Sequence, residues 1–231
     1  MRYNSAYYFT PAGGQVGRYD KIHLVPFGEF MPFRDSFPLL YRAFNVFNPY
    51  KDLDYTVESG KDLTVFQLPA KGHGTTATAP TSQPTAGGPK FVTAICFEDV
   101  DSRLMARMFA GPNGTKRADF IVNLTNDGWF AFNQMPQHLQ LAVFRSIENR
   151  VPTARAVNTG ISGYIDPVGR VYDTIPVHTI GTRAARLELD RRVAPYTHIG
   201  DVFAGLCLAG SAVVVAGGVW RGVKKRRAAG R

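Results

Sequence analysis

The strongest constraint on the fold of this chain is a long uncharged segment near its C-terminus. Residues 202–220 read VFAGLCLAGSAVVVAGGVW, about 19 residues without a charge, between Asp201 and Arg221. This length is close to the minimum for one helix across a bilayer. A buried helix of a soluble protein can have the same composition, and the glycines in this segment weaken any helix. We predict a transmembrane helix over residues 201–221.

The basic residues that follow this segment predict its orientation. The sequence RGVKKRR comes directly after it, and cytoplasmic flanks of membrane helices carry an excess of Lys and Arg. We therefore predict a basic cytoplasmic tail over residues 222–231 and place residues 1–200 on the outer face of the membrane.

The net charge does not indicate a nucleic-acid partner. The formal charge is +9 at pH 7, and six of the positive charges lie after Trp220 with no acid among them. Nine minus six leaves +3 for residues 1–220, and no basic stripe interleaved with aromatic residues occurs there. We predict no nucleic acid among the partners.

Residues 1–200 show the alternation of strands and helices that is typical of an α/β domain. The N-terminus lacks a signal-peptide core and predicts two strands joined by a Gly-Gly turn at 13 and 14. Residues 71–90, rich in Gly, Thr, Ala and Pro, predict a flexible insertion. The remaining predicted strands are LTVFQLP, FVTAIC, ADFIVNLTN, TARAVN, SGYIDPVGRVYDT with a turn at Asp166-Pro167, and TRAARLELD; the predicted helices are residues 101–110 and QHLQLAVFRSIENR.

The cysteines and histidines give no sign of a disulfide or a metal site. Cys96 precedes an acidic pair whereas Cys207 lies in the apolar segment, so we predict no disulfide between them. The five histidines show no HxH or HExxH spacing, and none has a cysteine at ligand spacing. We predict no bound metal.

Three segments carry polar residues that need a joint explanation: GRYDKIHLVPFGEFMP at 17–32, ICFEDV at 95–100 and NLTNDGWFA at 123–131. Each has an ordinary interpretation by itself. Lys21 could be a solvated lysine at a strand end, Glu29 a turn carboxylate, and Cys96 a small core residue.

Together these segments resemble the nitrilase, or carbon-nitrogen hydrolase, superfamily, in which a Glu, a Lys and a Cys occur in that order. Within it the chain is similar to the apolipoprotein N-acyltransferase family, through HLVPFGEFMP, the pair Cys96 and Glu98, NDGWF, QHLQLAVFRSIENRVPTARAVNTGISGYIDP and PYTHIGD. The resemblance implies a partial nitrilase-type α-β-β-α sandwich in residues 1–200, followed by the membrane helix.

The resemblance also implies the roles of the site residues. Cys96 is the expected nucleophile, and Lys21 the expected cation that stabilises its thiolate and the oxyanion, helped by the backbone N–H of Phe97. Glu29 and Glu98 are expected to hold the lysine by charge-assisted hydrogen bonds. Trp129 and Phe130 offer an apolar wall for an acyl chain, or simply core packing.

The implied reaction transfers a fatty acyl group in two steps. Cys96 takes the acyl group from a membrane phospholipid as a thioester, and the α-amine of the lipidated N-terminal cysteine of a diacylglyceryl apolipoprotein then accepts it. The resemblance implies no cofactor, a monomeric complete enzyme, and a place in the bacterial inner membrane with the catalytic domain on the periplasmic side.

The sequence departs from the family pattern in three ways. The general-base glutamate should precede the lysine, but Asp20 is the only carboxylate before Lys21, and as its strand neighbour it should point to the opposite face. Upstream membrane helices and the first strands of the domain are also absent from this sequence. Phe97 stands where the family tends to have tyrosine.

These departures leave three interpretations open. We expect the chain to be the C-terminal portion of a larger acyltransferase, and we expect residues 1–200 alone to be poorly soluble, because a buried sheet edge would be uncovered. The alternatives are an amidase that acts on small amides, against which the membrane segment and PYTHIGD argue, and a non-catalytic relic.

Overall fold

The computed structural model describes residues 2–10, 14–33, 36–47, 55–69, 87–129 and 134–229. The strands are β1 (Ser5–Phe9), β2 (Gln15–Asp20), β3 (Phe66–Gln67), β4 (Lys90–Ile95), β5 (Phe120–Asn126), β6 (Thr153–Asn158), β7 (Ser162–Ile165) and β8 (Val171–Ile175), and the α-helices are α1 (Pro38–Phe44), α2 (Ser102–Phe109), α3 (Gln134–Asn149), α4 (Pro195–Ile199) and α5 (Val202–Ala229). Short 3-10 turns cover Asn45–Phe47, Cys96–Val100, Pro112–Gly114 and Asp127–Trp129.

Six strands form one mixed sheet in the order β3-β4-β5-β6-β7-β8. The central strands β4, β5 and β6 are parallel, and the outer pairings are antiparallel. Helices α2 and α3 connect the parallel strands, as parallel pairing requires a crossover. The carboxyl ends of β4, β5 and β6 therefore meet at one edge of the sheet, where the segments ICFEDV and NLTNDGWFA turn away from their strands.

A ladder of aromatic side chains joins the first strands of the sheet to the N-terminal hairpin. Phe66, Phe91 and Phe120 face one another across β3, β4 and β5, with ring centroids 5.1 Å and 5.2 Å apart. Tyr8 of β1 packs edge-on against Phe66 and Phe91. The hairpin β1-β2 is thus fixed to the sheet by its apolar side chains, and this contact positions the residue that follows β2, Lys21.

The α/β class is confirmed, and most predicted elements are found within a few residues of their expected bounds. The hairpin, the two helices, TARAVN and the turn at Asp166-Pro167 agree with prediction. The stripe formed by Leu104, Met105, Met108 and Phe109 is buried in the core. Gly13 and most of the predicted insertion at 71–90 lie outside the described residues.

Two strand predictions need correction. LTVFQLP forms a strand only at Phe66–Gln67. TRAARLELD, residues 182–190, has no strand at all. The carbonyls of Arg183 and Arg186 in this segment accept hydrogen bonds from the hydroxyls of Tyr164 and Tyr172. The segment is therefore held against the sheet by tyrosine side chains instead of by a strand ladder.

The predicted membrane segment lies within the long helix α5. Residues Val202–Lys225 form the one helix, among the described parts of the chain, that is long and apolar enough to cross a membrane, and no part of its apolar window is buried. The described residues leave this apolar surface uncovered, and an exposed apolar surface of this size is typical of a membrane or protein interaction site.

Candidate active site

Cys96 lies at the point where β4 ends and the chain turns sharply. Its φ of +51° is in the left-handed region, which is costly for a residue with a Cβ. The turn carries the half-buried thiol to the carboxyl edge of the parallel strands, where Sγ lies 4.0 Å from the carbonyl oxygen of Asn126 at the end of β5. The cysteine also packs against the core, but its backbone conformation and its position at the sheet edge are typical of a nucleophile on a strained turn.

Lys21 follows β2 directly and is buried, with 1% of its surface exposed. Its Nζ donates a 2.6 Å hydrogen bond to Oε2 of Glu29, and its backbone N–H donates to the carbonyl of Asn4. Asp20 instead accepts from Ser5 and Arg18, as its predicted position on the opposite face requires. A buried ammonium with one carboxylate partner is held in a fixed position.

Glu29 is bound by three donors. Asn4 Nδ2 donates to Oε1 at 2.8 Å, and Oε2 accepts from the Val25 N–H at 2.9 Å as well as from Lys21. Burial raises the pKa of this carboxyl, but the hydrogen bonds from Lys21, Val25 and Asn4 outweigh it and lower the pKa below its usual value. Glu29 is therefore an anion that neutralises Lys21.

Glu98 does not hold Lys21, which corrects the prediction made for it. Its hydrogen bonds among the described residues come from the Tyr19 hydroxyl at 2.7 Å and from the backbone N–H groups of Ile22, His23 and Ile95 at 2.7, 3.2 and 2.7 Å. Burial raises the pKa of Glu98, and these four donors oppose the rise.

The physical reason for this correction is the position of Glu98 inside the Cys96 turn. The N–H groups at this turn and just after β2 need an acceptor, and the fully buried Glu98 carboxylate accepts their hydrogen bonds. Its oxygens are therefore occupied by these donors and do not pair with Lys21. Glu98 thus links the backbone on both sides: Ile22 is next to Lys21 and Ile95 is next to Cys96. It positions both residues without touching the ammonium.

The backbone N–H of Phe97 is predicted to stabilise the oxyanion. Phe97 is the second residue of the 3-10 turn, where N–H groups have no acceptor within the helix, so its N–H can donate to a substrate oxygen. The Phe97 ring lies 5.6 Å from that of His23.

Trp129 is 74% exposed, which excludes core packing for this residue. Phe130 lies outside the described residues.

Sequence reasoning missed a group of four charged side chains behind the cysteine turn, which we call the buried ionic cluster. Its members are Asp99, Asp127, His138 and Arg155. Asp99 and Asp127 stand in the segments already singled out, whereas His138 and Arg155 come from a predicted helix and strand. The available signal was the position of His138 in a predicted helix and of Arg155 in a predicted strand, because a charged residue that such an element buries requires a partner.

The comparisons with known proteins show the family of this chain. The model of the carbon-nitrogen hydrolase family matches residues 1–194. Apolipoprotein N-acyltransferase from Geobacter metallireducens is 34% identical over 92% of this chain and 35% of its own length. The enzyme of that name from Bradyrhizobium diazoefficiens is 36% identical over 97% of this chain and 36% of its own length. The chain thus spans about a third of the length of these relatives.

Among solved structures, Saccharomyces cerevisiae Nit3, a member of branch 10 of the nitrilase superfamily, has a TM-score of 0.48 and 17% identity, covering 76% of this chain and 49% of that one. The family match includes all the residues that form the sheet, the Lys21–Glu29 pair and the cysteine turn. The chain belongs to the carbon-nitrogen hydrolase family, and its α/β fold is of the nitrilase type.

Proposed function

We propose that this protein is an N-acyltransferase that moves a fatty acyl group from a membrane phospholipid to the α-amine of the lipidated N-terminal cysteine of apolipoproteins. The observation that carries this proposal is the combination of a cysteine on a strained turn with an exposed apolar helix in one chain. The names and identities of the bacterial relatives favour it over an amidase that acts on small, soluble amides.

In the first step, the Cys96 thiolate attacks the carbonyl carbon of the phospholipid ester. The carbonyl oxygen becomes an oxyanion, which the Lys21 ammonium and the Phe97 N–H stabilise. The bond to the glycerol oxygen then breaks, and this oxygen takes a proton and leaves as a lysophospholipid. The thiol proton goes to a general base, for which the family pattern predicts a glutamate ahead of Lys21.

In the second step, the α-amine of the apolipoprotein attacks the thioester carbonyl. An amide bond forms, the carbon–sulfur bond breaks, and the proton lost by the amine balances the proton needed to regenerate the thiol. Glu29 holds the ammonium of Lys21 in place during both steps. Trp129, which is exposed, and Phe130 are assigned to contact the acyl chain.

The proposed placement follows the same reasoning. Residues 1–200 form the catalytic domain on the periplasmic face of the bacterial inner membrane, residues 201–221 cross it, and residues 222–231 form the cytoplasmic tail. Both substrates are anchored in lipid, so a site attached to the membrane by α5 encounters them by diffusion within the plane of the membrane.

The decisive test is mass spectrometry of the full-length protein after incubation with phosphatidylethanolamine vesicles. We expect one fatty acyl group on the peptide that contains Cys96, and its loss in Cys96→Ala and in Cys96→Ser. Cys207→Ala is the matched control and should keep the label, because Cys207 lies in the apolar helix. An acyl group on Cys207, or an active preparation with no acyl group on Cys96, contradicts the mechanism.

A further inference from the structure

The buried ionic cluster (Asp99, Asp127, His138 and Arg155) has no role in the reaction scheme. Each of its side chains is 6% exposed or less, and they come from four different parts of the fold: the cysteine turn, the turn after β5, helix α3 and strand β6. Burying four charged groups costs free energy unless each is paired. Their geometry therefore indicates a function beyond filling the core.

His138 lies between the two carboxylates of the cluster. Its Nδ1 is 2.7 Å from Oδ1 of Asp127, and its Nε2 is 2.8 Å from Oδ1 of Asp99. Arg155 faces the same two residues from β6, with Nη1 3.0 Å from Oδ2 of Asp99 and Nη2 3.5 Å from Oδ2 of Asp127. Arg155 also donates to the side chain of Asn123.

This arrangement requires the protonated form of the imidazole. Ionised carboxylates only accept hydrogen bonds, and a neutral imidazole has one N–H, so only the imidazolium can donate to both Asp99 and Asp127. The charges also balance in this form, with two anions and two cations. Burial lowers the pKa of His138, but the hydrogen bonds to Asp127 and Asp99 outweigh burial and the repulsion of Arg155, raising the pKa to about 9.

The two carboxylates that His138 joins belong to the two turns that meet at Cys96. Asp99 lies in the same 3-10 turn as Cys96, and Asp127 directly follows Asn126, whose carbonyl oxygen is 4.0 Å from Sγ. Asn126 is fixed in turn by Asn158 Nδ2 and the Gly128 N–H, which both donate to its Oδ1. One imidazolium thus bridges the turn that bears the nucleophile and the turn that faces it.

We propose that His138 acts as a positioning residue, whose imidazolium holds the Cys96 turn against the Asp127–Trp129 turn and so keeps the thiol in its reactive position. The rate prediction rests on the proposed acyltransferase function, whereas the thiol reactivity described below does not. The charged groups that face His138 include Asp99, Asp127 and Arg155.

The test compares two variants of the full-length protein. His138→Gln leaves the cluster with a net negative charge, and we expect kcat for acyl transfer to fall at least tenfold while KM changes by less than twofold. In His138→Gln/Asp127→Asn the charges balance again, and the Gln amide can donate to Asp99 while accepting from the Asn amide. We expect this double variant to recover most of the lost rate.

His198→Gln is the matched control, because His198 is exposed and should leave the rate unchanged. The pH profile adds a signature that a purely structural residue lacks. The ratio of the wild-type rate to the His138→Gln rate should be largest below pH 9 and fall as the pH rises through about 9, where the imidazolium loses its proton.

Alkylation of Cys96 by iodoacetamide, followed on its peptide by mass spectrometry, tests the inference without acyl transfer. We expect His138→Gln to slow it at least fivefold and the double variant to restore it. If the wild type transfers no acyl group but this pattern holds, the proposed function fails and the inference stands.

The inference is overturned if His138→Gln stays within twofold of wild type in both the acyl-transfer rate and the alkylation rate. It is also overturned if the double variant folds but has rates no higher than those of His138→Gln. If His138→Gln does not fold, the pH dependence of wild-type activity provides the test. Activity that falls above pH 9 while the protein stays folded supports the proposal, and activity that continues to rise through pH 10 contradicts it.

Discussion

At the scale of single residues, three carboxylates of the candidate site, Glu29, Glu98 and Asp99, have separate tasks that their hydrogen bonds distinguish. Glu29 neutralises Lys21, Glu98 binds backbone N–H groups on both sides of the site, and Asp99 belongs to the buried ionic cluster. Glu98 and Asp99 are adjacent in sequence, yet their partners lie in different elements. The type of residue alone does not reveal this division.

The Lys21–Glu29 pair makes stability depend on pH in a defined direction. The pKa of Glu29 is lowered in the folded protein, so its contribution is fully present above the unfolded value of about 4.3 and is lost as the pH falls through the folded pKa. We expect Glu29→Gln to lower the free energy of unfolding by about 1.5–3 kcal/mol at pH 7, because it removes a charged hydrogen-bond partner of a buried lysine.

Thermal unfolding of wild type and Glu29→Gln from pH 3 to pH 8 checks this prediction. The difference in melting temperature should be constant above about pH 5 and shrink below about pH 4. Glu58→Gln is the control, because Glu58 is exposed. A difference that does not change with pH would show that Glu29 does not act as an anion.

At the scale of elements, the turns after the parallel strands depend on one another. The Asp127–Trp129 turn lies against the segment after β6, and a Cβ on Gly160 would overlap the Asp127 carboxylate and lie 2.6 Å from Val157 Cγ1. A glycine is therefore needed at position 160 for Asp127 to reach His138.

We expect Gly160→Ala to destabilise the protein by about 1–3 kcal/mol, as overpacking of a filled site does, and to slow alkylation of Cys96. Urea unfolding and the iodoacetamide rate measure the two effects. Gly181→Ala is the matched control, since a Cβ there makes only ordinary contacts at 3.8 Å with Ile175. Equal stability of the two variants would refute the tight fit around Asp127.

The correction at residues 182–190 has a physical origin in tertiary contacts. The pattern of residues 182–190 is typical of an edge strand, but a strand forms only where its own N–H and C=O groups pair with those of a neighbouring strand. Here the tyrosines of β7 and β8 bind the carbonyls of this segment, and the choice between ladder and side chain depends on tertiary contacts. Helices α2 and α3 were easier to predict, because their backbone hydrogen bonds are local.

At the scale of the whole molecule, apolar surface is exposed both on α5 and on the segment that contains α1. None of the residues of α1 is buried, and Leu39 and Val46 are 82% and 83% exposed. Exposed apolar area of this kind is rare on monomeric soluble proteins. It supports a working environment in which lipid or further protein covers these surfaces.

This exposure makes the solubility prediction specific. Residues 1–200 produced alone should aggregate, because the apolar side chains around α1 are exposed to water even in the presence of α5. Size-exclusion chromatography and thermal melting, with the full-length protein in detergent as the comparison, measure the outcome. A monomeric preparation of residues 1–200 that melts cooperatively would contradict the prediction.

The sequence by itself determined the elements whose signals are local: the apolar helix, the hairpin, the alternation of strands and helices, and Cys96 at a strand end. It also indicated Lys21 and Glu29, which are eight residues apart and meet in an ion pair. Only the tertiary structure decided what Glu98 binds and brought His138 and Arg155 to the two aspartates. Those contacts join residues up to 79 positions apart, so their partners depend on how the strands are ordered, which local patterns do not encode.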